Sequence, residues 1–396
     1  MQRISELERS YASKALDGQF KSASSYKLVG RLETAFAQKM NTKYAIAFVN
    51  GTATLHIALE AAGVSFGDEV IVPPLTMSSP AIAVLHANAI PVFADVDERT
   101  FLITASEIEK QITQRTKAVI VVSLYGLMPD MDSIMALAKK HNIAVIEDDA
   151  QCFLGKYKGT LAGGIGDISS FSFQSSKHMT CGEGGMVTTN DEDLALKVRR
   201  YSGLGYGAIG LNKGRITKDD IQDPSYERHM VLGWNYRMSD VIGGVALGQL
   251  ERLDELVGAR KHAGALFLDA LNDCDWLTPQ HTPSECEHAY WAFTAKIDSA
   301  KVSWHTFRKK FAEFGGDGIY GAWQLSYLEP MFLGQNFLGR EKILQMSGDY
   351  RYEQGLCPVA EQLQPNLLQF KTNYWDTDDA QSQADILKKT INWFNQ

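Results

Sequence analysis

Four polar clusters in this sequence join residue types that can do chemistry with spacings that suit a strand end or a helix start. In FSFQSSKHMTCGEGG, Lys177 lies in a turn of small and polar residues, and Gly182, Gly184 and Gly185 follow, bracketing Glu183. A lysine is ordinarily a solvated surface charge. Here the glycines leave room for a planar ligand, and a lysine of lowered pKa is a nucleophilic amine able to form a Schiff base. In IAVIEDDAQ, an apolar run leads into Asp148, Asp149 and Gln151. Acids so close repel one another unless a cation offsets them. That cation is either Mg²⁺, which prefers hard oxygen ligands, or the protonated ring of a cofactor. At least one of the acids is expected simply to face water.

The other two clusters are weaker. NGTAT, Asn50–Thr54, places Gly51 and the Thr52 hydroxyl before a helical pattern, where free N–H groups make an anion seat. Taken alone, it is better explained as an ordinary helix cap. GWNYRMSD carries Asn235 and Arg237, able to bind phosphate or carboxylate, or to serve as a cap and a surface ion pair. Two apparent motifs carry nothing. GYGAIG, Gly205–Gly210, fits G-x-G-x-x-G but follows a helical pattern rather than a strand. The nine histidines include no H-x-x-x-H pair, so a zinc hydrolase is not supported.

Such groups work only if strand ends and helix starts converge. Strand patterns fall at Tyr44–Val49, Glu69–Val72, Ile90–Phe93, Ala118–Ser123, Ile143–Glu147, Ile168–Phe173 and Met186–Thr189. Helical patterns at Thr54–Ala62, Pro80–Asn88, Ala105–Ile112 and Met131–His141 separate most of them. Near-continuous apolar strands alternating with helices predict a mostly parallel sheet covered on both faces. No helix separates the last two strands, which leaves that end open to antiparallel pairing. In open α/β sheets the ligand sits at the carboxyl ends of the strands, where these clusters fall. A long helix is expected at Met238–Val257. A smaller unit follows, with helices at Lys261–Leu271, Trp304–Phe314 and Ala380–Phe394 and a strand at Tyr290–Ile297. The fold class is therefore α/β: a large domain over 1–257 with a mostly parallel, mixed sheet, plus a smaller α+β domain over 258–396.

The 396 residues are 45% hydrophobic and 22% charged, which excludes a disordered or fibrous chain. A net charge of −8 gives no electrostatic footprint for nucleic acid. No apolar run approaches the ~18 residues of a membrane span, and the N-terminal residues do not read as a signal peptide. Five scattered cysteines without a CxxC spacing suggest reduced thiols and a cytoplasmic protein.

Taken in order, four segments carry a resemblance: PPLTMSSPAIAVLHANAIPVFADVD, VSLYGLMPDMDSIMALAKKHNIAVIEDDAQ, SFSFQSSKHMTCGEGGMVTTND and GWNYRMSDVIGGVALGQLERLD. With them the chain resembles the sugar aminotransferases dependent on pyridoxal phosphate, a branch of fold type I, over nearly its whole length. The resemblance implies that Lys177 forms the Schiff base with the cofactor and later shuttles a proton. It implies that Asp148 keeps the pyridine nitrogen protonated and that Gln151 lies near the ring hydroxyl. Thr52, the Ala53 amide and Ser172 would hold the phosphate. Asn235 would reach that phosphate from a neighbouring subunit, making a homodimer the smallest active unit. Met77 stands where many members place an aromatic residue against the ring. Arg237 is a candidate for the donor carboxylate.

Relatives with histidine in the Schiff-base position dehydrate sugars; Lys177, followed by His178, points instead to transamination. The expected donor is an amino acid, by family analogy glutamate, and the acceptor a keto or aldehydo sugar. The FQSSKHMTCGEGG and WNYRMSD segments look most like a subgroup with unusual acceptors. They turn the acceptor expectation toward 8-oxo-3-deoxy-manno-octulosonate, giving the 8-amino sugar for lipopolysaccharide. A keto-inositol or a nucleotide keto sugar is the alternative, and a cofactor-binding sensor without turnover is the reading from another class.

Overall fold

The computed structural model describes residues 2–19, 27–207, 209–211, 219, 222–348 and 350–396. Ala208, inside the GYGAIG segment, thus lies outside the described residues.

A seven-stranded sheet organises the larger part. Its strands are β1 (Tyr44–Phe48), β2 (Glu69–Val72), β3 (Ile90–Phe93), β4 (Thr116–Val122), β5 (Ala144–Asp148), β8 (Ile168–Ser172) and β9 (Gly185–Thr189). The short strands β6 (Lys156–Tyr157) and β7 (Thr160–Leu161) intervene in the chain and belong to a separate small sheet. The order across the large sheet is β1-β9-β8-β5-β4-β2-β3. From β8 to β3 every pair is parallel. The β8–β9 and β9–β1 pairs are antiparallel. The reason is local: a parallel return needs a crossover of a dozen or more residues, usually helical. The twelve residues between β8 and β9 form the polar turn that carries Lys177 and hold no helix to make that crossover, so β9 doubles back.

Helices α1 (Glu6–Asp17), α2 (Lys27–Met40), α3 (Gly51–Ala61), α4 (Ser79–His86), α5 (Ala105–Gln111), α6 (Met131–His141) and α7 (Glu192–Tyr201) cover this sheet. One apolar core joins α3 and α4 to Val70, Val72, Ile120 and Ile146; another joins α6 to Ile71, Val119, Val121 and Val145. Successive residues of one strand thus serve opposite faces, and both faces are buried. The first core also takes in Leu325, Tyr327, Phe332 and Leu367, so the far end of the chain packs back on the sheet.

The helix expected at Met238–Val257 is two helices, α8 (Asp240–Glu251) and α9 (Leu253–Ala270), and α9 absorbs most of the helix expected separately from Lys261. The break is Arg252, with φ −108° and ψ 10°. Its guanidinium reaches the buried Glu8 carboxylate at 3.1 Å, which fixes the N-terminal helix there. The residues of the expected division, Val257–Arg260, lie inside α9. Beyond it, β10 (Leu277–Pro279), β12 (Ala292–Ile297), β13 (Tyr320–Gly321) and β14 (Leu367–Lys371) form an antiparallel sheet in the order β10-β12-β14-β13, while β11 (Cys286–Glu287) pairs with β6. Phe267, Phe293, Phe307, Phe370 and Leu387 fill the core against that sheet. Among the described residues no helix is long and apolar enough to cross a membrane.

Candidate active site

The carboxyl ends of β5 and β8 and the start of α3 converge on a cavity of about 540 Å³. Asp148 ends β5, Ser172 ends β8, and Lys177 comes from the turn that follows. All three line the cavity, as do Thr52, Met77 and Gln151. Residues separated by up to 125 positions thus meet at the place where an open α/β sheet receives its ligand.

Lys177 is part-buried, with its amine 4.7 Å from the ring centre of Trp291. Burial is the main cause that brings the amine down to about 8; Asp148 pulls it up again and Arg260 pushes it further down. A lysine so placed has an appreciable neutral fraction near neutrality, as a nucleophile needs. His178 turns elsewhere: it is buried, its Nε2 lies 2.9 Å from the Ala289 carbonyl oxygen, and burial keeps its ring neutral.

The three consecutive acids divide their labour. Glu147 accepts from the backbone N–H groups of Gly163, Ile165 and Gly166 and from the Ser169 hydroxyl, bracing the loop before β8. Asp149 accepts from the Ser123 hydroxyl at 2.7 Å, and its other oxygen is buried without a hydrogen-bond partner. Burial and the neighbouring Glu147 push its carboxyl well up. Asp148 accepts from the Ala150 N–H at 3.1 Å. Burial raises it to about 6 against that hydrogen bond and the Lys177 charge. None of the three is a solvent-facing acid: all are 6% exposed or less, which overturns that expectation. Among the described residues no three His, Cys, Asp or Glu groups are placed to hold a metal ion together, so the Mg²⁺ reading finds no ligand set.

Gln151 uses its Oε1 to accept from the Tyr125 N–H at 2.8 Å. Tyr125 stands at φ +62°, a left-handed conformation rare for a bulky residue, and this bond accompanies it. At the start of α3 the Asn50 side chain caps the helix by accepting from the Ala53 N–H at 2.8 Å. The Ala53 amide is therefore engaged in the structure. The Thr52 hydroxyl lies 2.9 Å from that of Ser79, and the Met77 sulfur accepts from both the N–H and the hydroxyl of Ser79 at 3.0 Å. Met77, nearly half exposed, thus sits on a hydroxyl-rich rim.

Asn235 and Arg237 do not line this cavity. Trp234 and Tyr236 pack against His56, with ring centres 4.7 and 6.0 Å away, and the alternating residue Asn235 is exposed. Arg237 forms a bridge with Phe48, and one of its guanidinium nitrogens is buried without a partner.

Sequence reasoning missed Trp291, Trp323, Ser79 and Arg260. Trp323 lines the cavity and its ring centre lies 6.2 Å from that of Trp291. Arg260 donates to the carbonyls of Ser176 and Lys177 at 2.8 and 3.1 Å. None has a local signal. The unusual tryptophan in GAWQLSYLEP and an arginine on the apolar stripe of a helix are hints only in retrospect.

The chain is similar to known proteins along most of its length. It is 38% identical over 297 residues to the GDP-perosamine synthase of Caulobacter vibrioides, covering 74% of this chain and 76% of that one. It is 32% identical over 289 residues to the L-glutamine:2-deoxy-scyllo-inosose aminotransferase of Streptomyces lividus, covering 73% and 66%. The solved structure of an aminotransferase from Psychrobacter cryohalolentis superposes with a TM-score of 0.86 at 30% identity, covering 99% of this chain and 98% of that one. Residues 2–342 match the DegT/DnrJ/EryC1/StrS aminotransferase family, and the chain belongs to that family of pyridoxal-phosphate-dependent enzymes.

Proposed function

We propose that this enzyme moves an amino group from glutamate or a related amino acid to the carbonyl of a sugar. The observation that carries this is the pairing in one cavity of a lysine lowered to about 8 with a buried carboxylate raised to about 6. The residues fit the cofactor: an amine, an acid in need of a cationic partner, and hydroxyls at a helix start. When bound, pyridoxal phosphate supplies an aldehyde for the amine and a ring that accepts the electron pair left at the donor carbon. In our reading Lys177 holds the ring and then carries the proton from the donor α-carbon and back to the acceptor carbon. Asp148, ionised at neutral pH, holds the proton on the ring nitrogen. Gln151, its Oε1 engaged, offers its NH₂ to the ring hydroxyl. Thr52 and Ser172 hold the phosphate at the start of α3, where the helix dipole favours an anion; Ala53 joins them only if its amide leaves Asn50. Met77 covers the ring from the rim.

We further propose that residues 1–257 and 258–396 form a large and a small domain, and that Asn235 completes the phosphate site of a second copy. Its exposure and the exposed apolar run Met230, Val231 and Leu232 just before it support a contact there. Arg237, whose backbone pairs with Phe48, has one buried guanidinium nitrogen without a partner, which supports a donor carboxylate as its ligand. Five free cysteines favour a reducing cytoplasm.

The acceptor is a keto or aldehydo sugar. Resemblance within the family supports 8-oxo-3-deoxy-manno-octulosonate, whereas the names of the two relatives support GDP-linked and inositol-type acceptors. Incubating the aminated enzyme with each, and weighing the products by mass spectrometry, tests the proposal. A gain of amine identifies the acceptor; loss of water, or no product from any of them, overturns it.

A further inference from the structure

Arg260 is 1% exposed, in the middle of α9, and among the described residues no carboxylate forms an ion pair with it. A buried charge without a counter-ion is costly, and it persists only where its hydrogen bonds are well met. Those of its two terminal nitrogens go to backbone carbonyls and one hydroxyl, while its Nε is buried without a partner. One terminal nitrogen donates to the Trp291 carbonyl at 2.7 Å and to the Thr372 hydroxyl at 3.3 Å. The other donates to the Ser176 and Lys177 carbonyls at 2.8 and 3.1 Å. The Trp291 indole N–H adds a bond to the Ser176 carbonyl at 3.0 Å, and Arg3 reaches the Ser175 carbonyl. Three successive carbonyls of the lysine turn are thus held by donors from three distant segments.

We propose that Arg260 is a positioning residue for Lys177: it fastens the lysine turn to the Trp291 and Thr372 segments and sets a fixed positive charge beside the amine. This rests on the reading of Lys177 as the reactive amine. The charges around that amine are Asp148 from β5, which favours its protonated form, and Arg260 from α9, which opposes it. Trp291 presents a ring face that also favours the cation, and neutral His178 adds no charge. Burial lowers Arg260 itself to about 9, with Arg3 contributing, so it is charged at neutral pH. Removing it leaves burial alone to oppose Asp148 and Trp291, and the amine holds its proton more tightly.

The test is pulse labelling of Lys177 in the full-length, cofactor-free chain with acetic anhydride across pH, read on the Lys177 peptide by mass spectrometry. The wild-type midpoint is expected at about 8. Arg260→Gln should raise it by about one pH unit, and Arg260→Lys, which keeps the charge but loses the forked geometry, should leave it within about 0.3. An unmoved midpoint in folded Arg260→Gln overturns the proposal. If that variant does not fold, Arg260→Lys decides alone, because a midpoint raised by a full unit there means the residue acts only as a brace. Borohydride reduction of the wild-type holoenzyme separates the two levels. No pyridoxyl group on Lys177 sinks the functional reading; its presence with an unmoved midpoint sinks only the role of Arg260.

Discussion

A Cβ on Gly51 would lie 2.7 Å from the Cβ of Ser172, so the start of α3 rests directly on the end of β8. This close approach sets the Thr52 hydroxyl and the Ser172 hydroxyl on the same wall of the cavity. Gly51→Ala should therefore force the helix away, destabilising the fold by about 1–3 kcal/mol as overpacking does. The same variant should bind pyridoxal phosphate roughly tenfold or more weakly. Urea unfolding and a cofactor titration measure the two effects; wild-type affinity in a folded variant would mean that α3 does not seat the phosphate.

Lys177→Ala should keep the fold and lose turnover by at least about 10³-fold, since both the covalent anchor and the proton carrier go. Circular dichroism alongside multiple-turnover product analysis is sufficient, and sustained turnover would refute the role given to this lysine.

Asp148 yields a stability prediction with a definite sign. Its pKa rises from an ordinary 3.8 to about 6 in the folded chain. Between those values the folded state binds more protons than the unfolded state, so stability is lost as pH rises through that window. At pH 7 the loss is complete. Asp148→Asn should remove it, stabilising the cofactor-free protein at pH 7 by on the order of 3 kcal/mol while weakening the hold on the cofactor ring. Melting at pH 4 and pH 7 tests the sign: the gain must be larger at pH 7.

Trp323 stands 44% exposed on the cavity wall, its ring centre 6.2 Å from that of Trp291. Trp323→Ala should raise KM for the acceptor sugar about tenfold and leave single-turnover amination by glutamate unchanged. Equal losses in both halves would place Trp323 in the general architecture instead.

The Asn235 proposal predicts complementation between inactive variants. Mixed dimers of Lys177→Ala and Asn235→Ala contain one site with both residues intact. Refolding the two in equal amounts should restore roughly a quarter of wild-type activity. Recovery no greater than the sum of the separate variants would place Asn235 outside the shared site.

The sequence by itself determined the layers and which strand ends and helix starts carry polar clusters. β2 and β3 begin and end where their apolar runs do, and α6 spans Met131–His141 as its periodicity requires. Lys177, Asp148, Ser172 and Thr52, which the structure gathers on one cavity, were legible as polar positions because they lie at or just beyond an element's end, and local patterns mark such ends. The tertiary structure alone decided what surrounds them. Trp291, Trp323 and Arg260 reach the lysine turn from 83 to 146 positions away, and nothing in their own neighbourhoods announces that meeting. It likewise decided that Arg252 breaks a helical pattern for a partner at Glu8, and that Asn50 takes the Ala53 amide. Periodicity records which face of an element is buried. Convergence depends on how distant elements pack, and that information is spread over hundreds of contacts rather than written at any one residue.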